Sequence, residues 1–198
     1  LPEAIKLHYA IKANPLPELV QDVSKWVDGL DVASEGELLL ALETTMDPAH
    51  ISFAGPAKSD AELAMAIQHQ VTINVESAGE LNRVMQLAEG LAQRPTVALR
   101  INPDFELKSA GMKMGGKSTA FGIDAEQASS TLRQLADLDV DFVGLHIFAG
   151  SQNLNVAHLI EAQAATFDQA ERLKADMPAP MRSFNIGGGL GIPYIPGE

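Results

Sequence analysis

The sequence contains no cysteine, which removes disulfides, thiolate nucleophiles and cysteine-ligated metals and fits a reducing, cytoplasmic setting. No metal site is expected. No apolar run approaches the roughly eighteen residues that cross a bilayer, and Leu1-Pro2-Glu3-Ala4 has neither the basic nor the apolar stretch of a secretory leader, so no membrane partner is expected. Basic residues are scarce: 14 Lys and Arg against 26 Asp and Glu give a formal charge of -12. That charge repels nucleic acid and anionic lipid, so no nucleic-acid partner is expected, while a small anion in a local basic pocket stays open. Disorder is excluded as the main state by 46% hydrophobic against 20% charged residues. There is no initiator Met, and the opening leads almost directly into an apolar run, which reads as a start inside a longer protein.

What is present is a regular alternation. Apolar runs of strand length recur at Leu7 to Ala13, Leu30 to Ser34, His50 to Ala54, Val71 to Glu76, Thr96 to Asn102, Val140 to Phe148 and Arg182 to Gly187, with helix-period stretches between them. Strand then helix, repeated, is the pattern of a parallel sheet, closed into a barrel or opened into a doubly wound sheet. Helix starts are marked by Ser-x-x-Glu capping boxes at Ser34 to Glu37, Ser59 to Glu62 and Ser77 to Glu80. Val32-Ala33-Ser34-Glu35-Gly36-Glu37-Leu38 and Val75-Glu76-Ser77-Ala78-Gly79-Glu80-Leu81 are nearly the same phrase written twice. Such repetition of βα units favours an α/β fold of the (β/α)8, TIM-type barrel class, incomplete because seven strands are legible where a closed barrel needs eight. A long connection, Pro103 to Ala120, follows the fifth strand, and long loops in compact domains are usually functional.

Side chains alternate between the two faces of a strand, and the helix-facing set should be apolar. Sorting on that basis sends His8, Ala10, Lys12 and Asn14 inward on the first strand, then Asp31, Ser52, Asn74 and Glu76, Arg100 and Asn102, His146 and Phe148, and Asn185 on the later ones. Lys12, Asp31, Glu76, Arg100 and His146 thus collect toward the strand ends where barrel enzymes place their chemistry. An interior ion-pair layer is the alternative, although buried pairs seldom repay their desolvation. Lys12, enclosed among apolar walls, is the candidate nucleophilic amine for a Schiff base with a carbonyl. Asn185-Ile186-Gly187-Gly188-Gly189-Leu190-Gly191 follows the seventh strand, where bare backbone N–H groups suit a phosphate; a flexible turn is the competing reading. Ser151, in Gly150-Ser151-Gln152, is a second phosphate donor or a turn residue. Glu37 is either the cap of its box or a pocket residue. A Schiff-base lysine opposite a phosphate cradle points to pyridoxal 5′-phosphate.

These motifs together are familiar. Tyr9-Ala10-Ile11-Lys12-Ala13-Asn14, Asp31 to Leu38, Leu99-Arg100-Ile101-Asn102-Pro103, Phe121-Gly122-Ile123, Gly144-Leu145-His146 with Gly150-Ser151-Gln152, and Asn185 to Gly191 resemble, in order and spacing, the barrel domain of the fold type III pyridoxal-phosphate decarboxylases. The resemblance is to the diaminopimelate and ornithine decarboxylase group, with an alanine racemase-like barrel, and covers almost the whole chain. It implies that Lys12 holds the cofactor, that Asp31, Glu37 and Arg100 line its pocket, and that Ser151, Gly187, Gly188 and Gly189 contact its phosphate. The group usually writes His-x-His before Gly-Ser; His146-Ile147-Phe148 puts Phe148 at the stacking position, leaving His146 on the same face as the substitute imidazole. The loop Gly111-Met112-Lys113-Met114-Gly115-Gly116 is similar to a bacterial branch associated with exopolysaccharide and exosortase gene clusters.

The resemblance further implies that residues 1–198 are a partial pyridoxal-phosphate-binding barrel domain, that the group's C-terminal β domain lies outside them, and that the fragment does not turn over alone. The expected activity is pyridoxal-phosphate-dependent decarboxylation of a small amino-acid or related amine substrate through a Schiff base on Lys12, in a homodimer. Two alternatives accompany it: an amino-acid racemase or carrier-bound aminoacyl decarboxylase, and a non-catalytic pyridoxal-phosphate carrier, which needs Lys12 and the glycines but releases no CO2.

Overall fold

The computed structural model describes residues 1–106, 112–113 and 119–195. Strand and helix alternate along it as the apolar pattern requires: β1 (His8–Ala10), α1 (Pro17–Val23), β2 (Gly29–Val32), α2 (Glu35–Leu42), β3 (Ile51–Phe53), α3 (Asp60–Gln68), β4 (Thr72–Val75), α4 (Ala78–Leu91) and β5 (Thr96–Asn102) come first. The short β6 (Met112–Lys113) and β7 (Ile123–Asp124) follow, then α5 (Ala125–Leu135), β8 (Asp141–Ile147), β9 (Gly150–Ser151), α6 (Val156–Leu173) and β10 (Ser183–Asn185). Seven of these strands, β1 to β5, β8 and β10, correspond to the seven apolar runs. The fold is α/β, of the (β/α)8 barrel class and incomplete by the eighth strand.

Two compact units divide the chain: Leu1–Val75 with Gly79–Val97 and Asp139–Asp141, and Glu76–Ala78 with Ala98–Leu138 and Phe142–Glu198. In the first, β1, β2, β3 and β4 pair in that order, with Ala10 beside Asp31, Asp31 beside Ser52, and Phe53 beside Ile73 in parallel register. Val32, Ile51, Phe53, Ile73 and Val75, the residues expected to face the helices, are buried. In the second, β5, β8 and β10 are neighbours in that order, and Asn185 lies beside His146. β7 runs parallel to β5 with Ile123 beside Ile101, and β6 pairs antiparallel with β9. Leu99, Ile101, Leu145 and Ile147 form the buried face there. Within the long connection after β5, residues 107–111 and 114–118, and with them most of the Gly111 to Gly116 loop, lie outside the described residues.

Helix starts depart from the expected uniform caps. The full reciprocal box forms at α3, where the Ser59 hydroxyl accepts the Glu62 N–H and Glu62 Oε2 accepts the Ser59 N–H at 2.7 Å. At α2 the Ser34 hydroxyl does accept the Glu37 N–H, but the Glu37 carboxylate reaches one residue further back, to the Ala33 N–H at 2.8 Å. Glu62 compensates: its Oε1 accepts the Glu35 N–H at 2.8 Å, so one carboxylate serves the first turns of two helices. Burial raises the Glu62 pKa, yet the bonds from Ser59 and Glu35 outweigh it and hold the carboxyl below its ordinary value.

Candidate active site

In the first unit, β1 is shorter than the apolar pattern implies. The strand ends at Ala10, and Ile11–Ala13 turn into a single 3-10 turn with Ile11 buried beneath it. Lys12 therefore sits just past the strand end, and its side chain is exposed, not enclosed as alternation along a continuous strand implied. Its backbone is well fixed. Asn14 N–H donates to the Ile11 carbonyl at 3.1 Å, the Tyr9 hydroxyl donates to the Asn14 carbonyl at 3.0 Å, and Asn14 Oδ1 accepts the Leu16 N–H. Among the described lysine side chains, Lys12 is the one that makes no hydrogen bond or ion pair. Lys6, Lys25 and Lys174 each face a carboxylate, and Lys58 is fully engaged.

Asp31 and Glu37 share this unit. Asp31 is part of a polar row running across three strands: its Oδ1 accepts the Ser52 hydroxyl at 2.5 Å and lies 3.2 Å from His8 Nδ1. Gly29 makes room for that row, because a Cβ there would lie 2.5 Å from the His8 imidazole. Glu37 is half-buried and holds the backbone of Ala33, so in this structure its carboxylate does the work of a cap.

Sequence reasoning missed Lys58. It lies in the loop after β3, where no periodicity marks it, and it is buried. Its ammonium donates to the Gly55 carbonyl at 2.7 Å, the Asn74 carbonyl at 3.0 Å and Glu80 Oε1 at 2.7 Å, using all three of its donors. The Phe53 ring lies 5.8 Å away. Glu80, expected only as a capping residue, is the buried counter-charge, with side-chain exposures of 1% and 5% for the pair.

The second unit holds Arg100, His146, Phe148, Ser151 and the glycine run. Arg100 is buried against Glu76, Nη1 to Oε1 2.8 Å, and its guanidinium lies 5.2 Å from the centre of the Phe121 ring. His146 is buried on β8 beside Asn185. Phe148 follows the end of β8 and packs on Gly187, whose Cβ would sit 2.5 Å from the phenyl Cδ2. Ser151 is half-buried on β9.

The segments after β8 and after β10 are brought together backbone to backbone. A Cβ on Gly189 would lie 2.2 Å from the Gly150 carbonyl oxygen. Asn153 N–H donates to the Gly189 carbonyl at 3.2 Å and Gly191 N–H to the Asn153 carbonyl at 3.0 Å, while the Gln152 side chain both accepts from and donates to the backbone of Ile192. Gly187, Gly188 and Gly189 all have positive φ, at 80°, 115° and 87°. Gly187 N–H is held by Asn185 Oδ1 at 2.8 Å and Gly188 N–H by the Ile186 carbonyl at 3.0 Å. On the other side the loop is bare: nothing lies within 4 Å of the position a Gly188 Cβ would take.

A primary amine left free at a strand end and a glycine loop open on one side, each on a fixed backbone, suit the aldehyde and the phosphate of a pyridoxal phosphate, although the Gly187 and Gly188 N–H groups expected to be bare are bonded within the loop. A profile described as pyridoxal-dependent decarboxylase, pyridoxal binding domain, matches residues 1–198. The chain belongs to this family. Pyridoxal 5′-phosphate is therefore the cofactor of the domain, and the residues present fit it. The chain is 35% identical over 98% of its length to the L-glutamyl-[BtrI acyl-carrier protein] decarboxylase of Niallia circulans, covering 46% of that protein. It is 33% identical over 98% of its length to the diaminopimelate decarboxylase of Aquifex aeolicus, covering 47% of it. The crystal structure of Methanocaldococcus jannaschii diaminopimelate decarboxylase in complex with L-lysine superposes with a TM-score of 0.86 at 32% identity, over 98% of this chain and 46% of that one. The chain thus spans about half the length of the curated relatives it matches. Among the described residues no helix is long and apolar enough to cross a membrane, and no cluster of metal-ligating side chains occurs.

Proposed function

We propose that this domain binds pyridoxal 5′-phosphate covalently through Lys12 in a decarboxylase that removes the carboxyl group of an amino acid or related amine. The observation that carries the assignment is the state of the lysines: Lys58 is buried with every donor used, whereas Lys12 is exposed and without a partner on a fixed turn at the end of β1. A nucleophilic amine must be unengaged and able to reach a carbonyl, and among the described lysine side chains only Lys12 meets that condition. When bound, the cofactor supplies an electron-withdrawing ring that takes up the electron pair left as CO2 departs.

The chain's own residues bind and orient. In this reading the open side of Gly188 and the backbone of Gly189 receive the phosphate, with Ser151 beside them donating its hydroxyl. Phe148, already seated on Gly187, offers a ring face for stacking but no proton, so His146 is the imidazole left on that strand to hold one. Asp31, fixed by Ser52 and His8, presents a carboxylate, and Arg100 a permanent positive charge. Residues 1–198 form the barrel part of the enzyme, which works as a homodimer.

The finer substrate reading has two arms. Free diaminopimelate-like amino acids are supported by the diaminopimelate decarboxylases among the relatives, and a carrier-bound aminoacyl group by the likeness to the acyl-carrier-protein decarboxylase. The covalent step is tested on the full-length protein by incubation with pyridoxal 5′-phosphate, reduction with borohydride and mapping of the modified peptide. Modification at Lys12, lost in Lys12→Ala, is the expected result; modification at Lys58 or at no lysine overturns the assignment. CO2 release then separates a decarboxylase from a cofactor carrier, and comparison of free with carrier-tethered substrates separates the two arms.

A further inference from the structure

Glu76 is not among the residues that the family motifs assign, yet both oxygens of its carboxylate are engaged within the second unit. It lies immediately after β4 and is buried, and its two oxygens do two different things. Oε1 accepts from Arg100 Nη1 at 2.8 Å, and Oε2 accepts the Gly122 N–H at 3.1 Å. Gly122 belongs to the turn by which the chain comes back from the long connection. That turn is laid so closely on β5 that a Cβ on Gly122, at φ +74°, would lie 2.8 Å from the Asn102 nitrogen. The residue before it, Phe121, presents its ring to the Arg100 guanidinium at 5.2 Å. The residues after it pair with β5, and Asn102 Nδ2 donates to Asp124 Oδ1 at 2.8 Å. Arg100 is thus gripped by a carboxylate and an aromatic face that are themselves tied together through Gly122.

A guanidinium keeps its charge at any relevant pH, so a buried one needs a fixed anion to hold it in one orientation. We propose that Glu76 is the positioning residue for Arg100: its single carboxylate sets the guanidinium and anchors the Phe121–Gly122 turn at the same time. The placement of the site arginine and of the returning segment is then one event. This rests on the reading of Arg100 as a cofactor-pocket residue. Arg100 is what touches the cofactor or its substrate; Glu76 acts through it.

The test is a double-mutant cycle in the full-length protein, read as the pyridoxal 5′-phosphate dissociation constant from an absorbance titration. Glu76→Gln keeps the size of the side chain and one acceptor but removes the charge. It should weaken cofactor binding by about tenfold, the usual scale for losing a group that orients a ligand-holding residue, while Arg100→Met weakens it at least as much. If Glu76 acts through Arg100, adding Glu76→Gln to Arg100→Met changes the constant no further. Multiplying losses, or unchanged affinity in Glu76→Gln, overturn the proposal, because a purely structural residue gives the first and an uninvolved one the second. A second readout needs no cofactor: amide exchange in the peptide carrying Gly122 should speed up in Glu76→Gln, and unchanged exchange also counts against the anchor. If Glu76→Gln does not fold, Glu76→Asp, which keeps the charge on a shorter stem, takes its place in the same cycle with the same criteria. Borohydride fixation at Lys12 in the parent protein is the control. Its absence defeats the functional reading itself, whereas normal fixation with an insensitive Glu76→Gln defeats only the role of Glu76.

Discussion

If the glycine loop receives the phosphate as proposed, substituting alanine at Gly188 and at Gly189 should separate cofactor binding from fold maintenance within two adjacent residues. Both have positive φ, at 115° and 87°, so either substitution carries a conformational penalty of about 1 to 3 kcal/mol. Beyond that the positions differ. The Gly188 methyl enters open space, with no heavy atom within 4 Å, whereas the Gly189 methyl meets the Gly150 carbonyl oxygen at 2.2 Å and the Gly150 carbonyl carbon at 3.3 Å. A methyl carbon does not approach a non-bonded oxygen so far inside van der Waals contact, so the backbone segments at 150–153 and 189–192 must move apart. Overpacking of that kind adds about 1 to 3 kcal/mol, for a total near 2 to 6 kcal/mol at Gly189. Gly188→Ala should therefore melt within a few degrees of the parent but bind pyridoxal 5′-phosphate at least tenfold more weakly, about 1.4 kcal/mol, because its methyl stands where the phosphate would meet the backbone. Gly189→Ala should lose thermal stability first and affinity with it. Differential scanning fluorimetry without cofactor, paired with an absorbance titration, reads both. A Gly188→Ala protein with parental affinity refutes the reasoning, since the open side of the loop would then not be the side facing the phosphate.

Two further outcomes follow from the charged groups of the first unit. Removing one partner of the buried Lys58–Glu80 pair, as in Glu80→Leu, should cost about 3 to 5 kcal/mol in chemical denaturation because an ammonium is left buried without its counter-charge, whereas Lys58→Met with Glu80→Leu should recover much of that loss; a double variant no more stable than the single one would contradict this. Glu62→Gln should cost about 1 kcal/mol at neutral pH, since one ionised carboxylate serves the starts of two helices. Its folded pKa is depressed, so its contribution is complete above the ordinary glutamate pKa and disappears as the pH falls through the folded one. The stability gap between parent and Glu62→Gln should accordingly close in acid, and a gap that widens there would mean that the sign is wrong.

The fold was largely legible because burial alternates with residue number only while a strand continues. Val32, Ile51, Phe53, Ile73, Val75, Leu99, Ile101, Leu145 and Ile147 fall on the face expected to be buried and are buried, whereas Phe184 and Ile186, expected on the same face, are half-buried. The rule failed where a strand stopped. Tyr9-Ala10-Ile11-Lys12-Ala13 alternates as a strand would, but the 3-10 turn at Ile11–Ala13 also buries one residue and exposes the next, so the pattern cannot mark the switch at Ala10. That ambiguity falls on Lys12, expected on an enclosed strand face and found exposed just past the strand end.

The charged residues show the same limit from another direction. Alternation put Arg100 and Glu76 on one face but could not pair them, since pairing depends on rotamers and on the return of the chain at Gly122, far away in sequence. Lys58 stayed hidden because Gly55 to Ser59 has no period, and because Glu80 already had a sufficient explanation as a cap. A residue with one complete local role is easily denied a second. The structure reverses a simple inference from buried charge: the most buried of the described lysine side chains, with three acceptors within 3.0 Å, is the one whose chemistry is already spent. Reactivity requires a donor held back from such satisfaction, by a backbone stiff enough to place an amine without bonding it. The turn closed by Tyr9 and Asn14 around Lys12 fixes the backbone with hydrogen bonds that leave the amine itself unbonded, the condition that the proposed role of Lys12 requires.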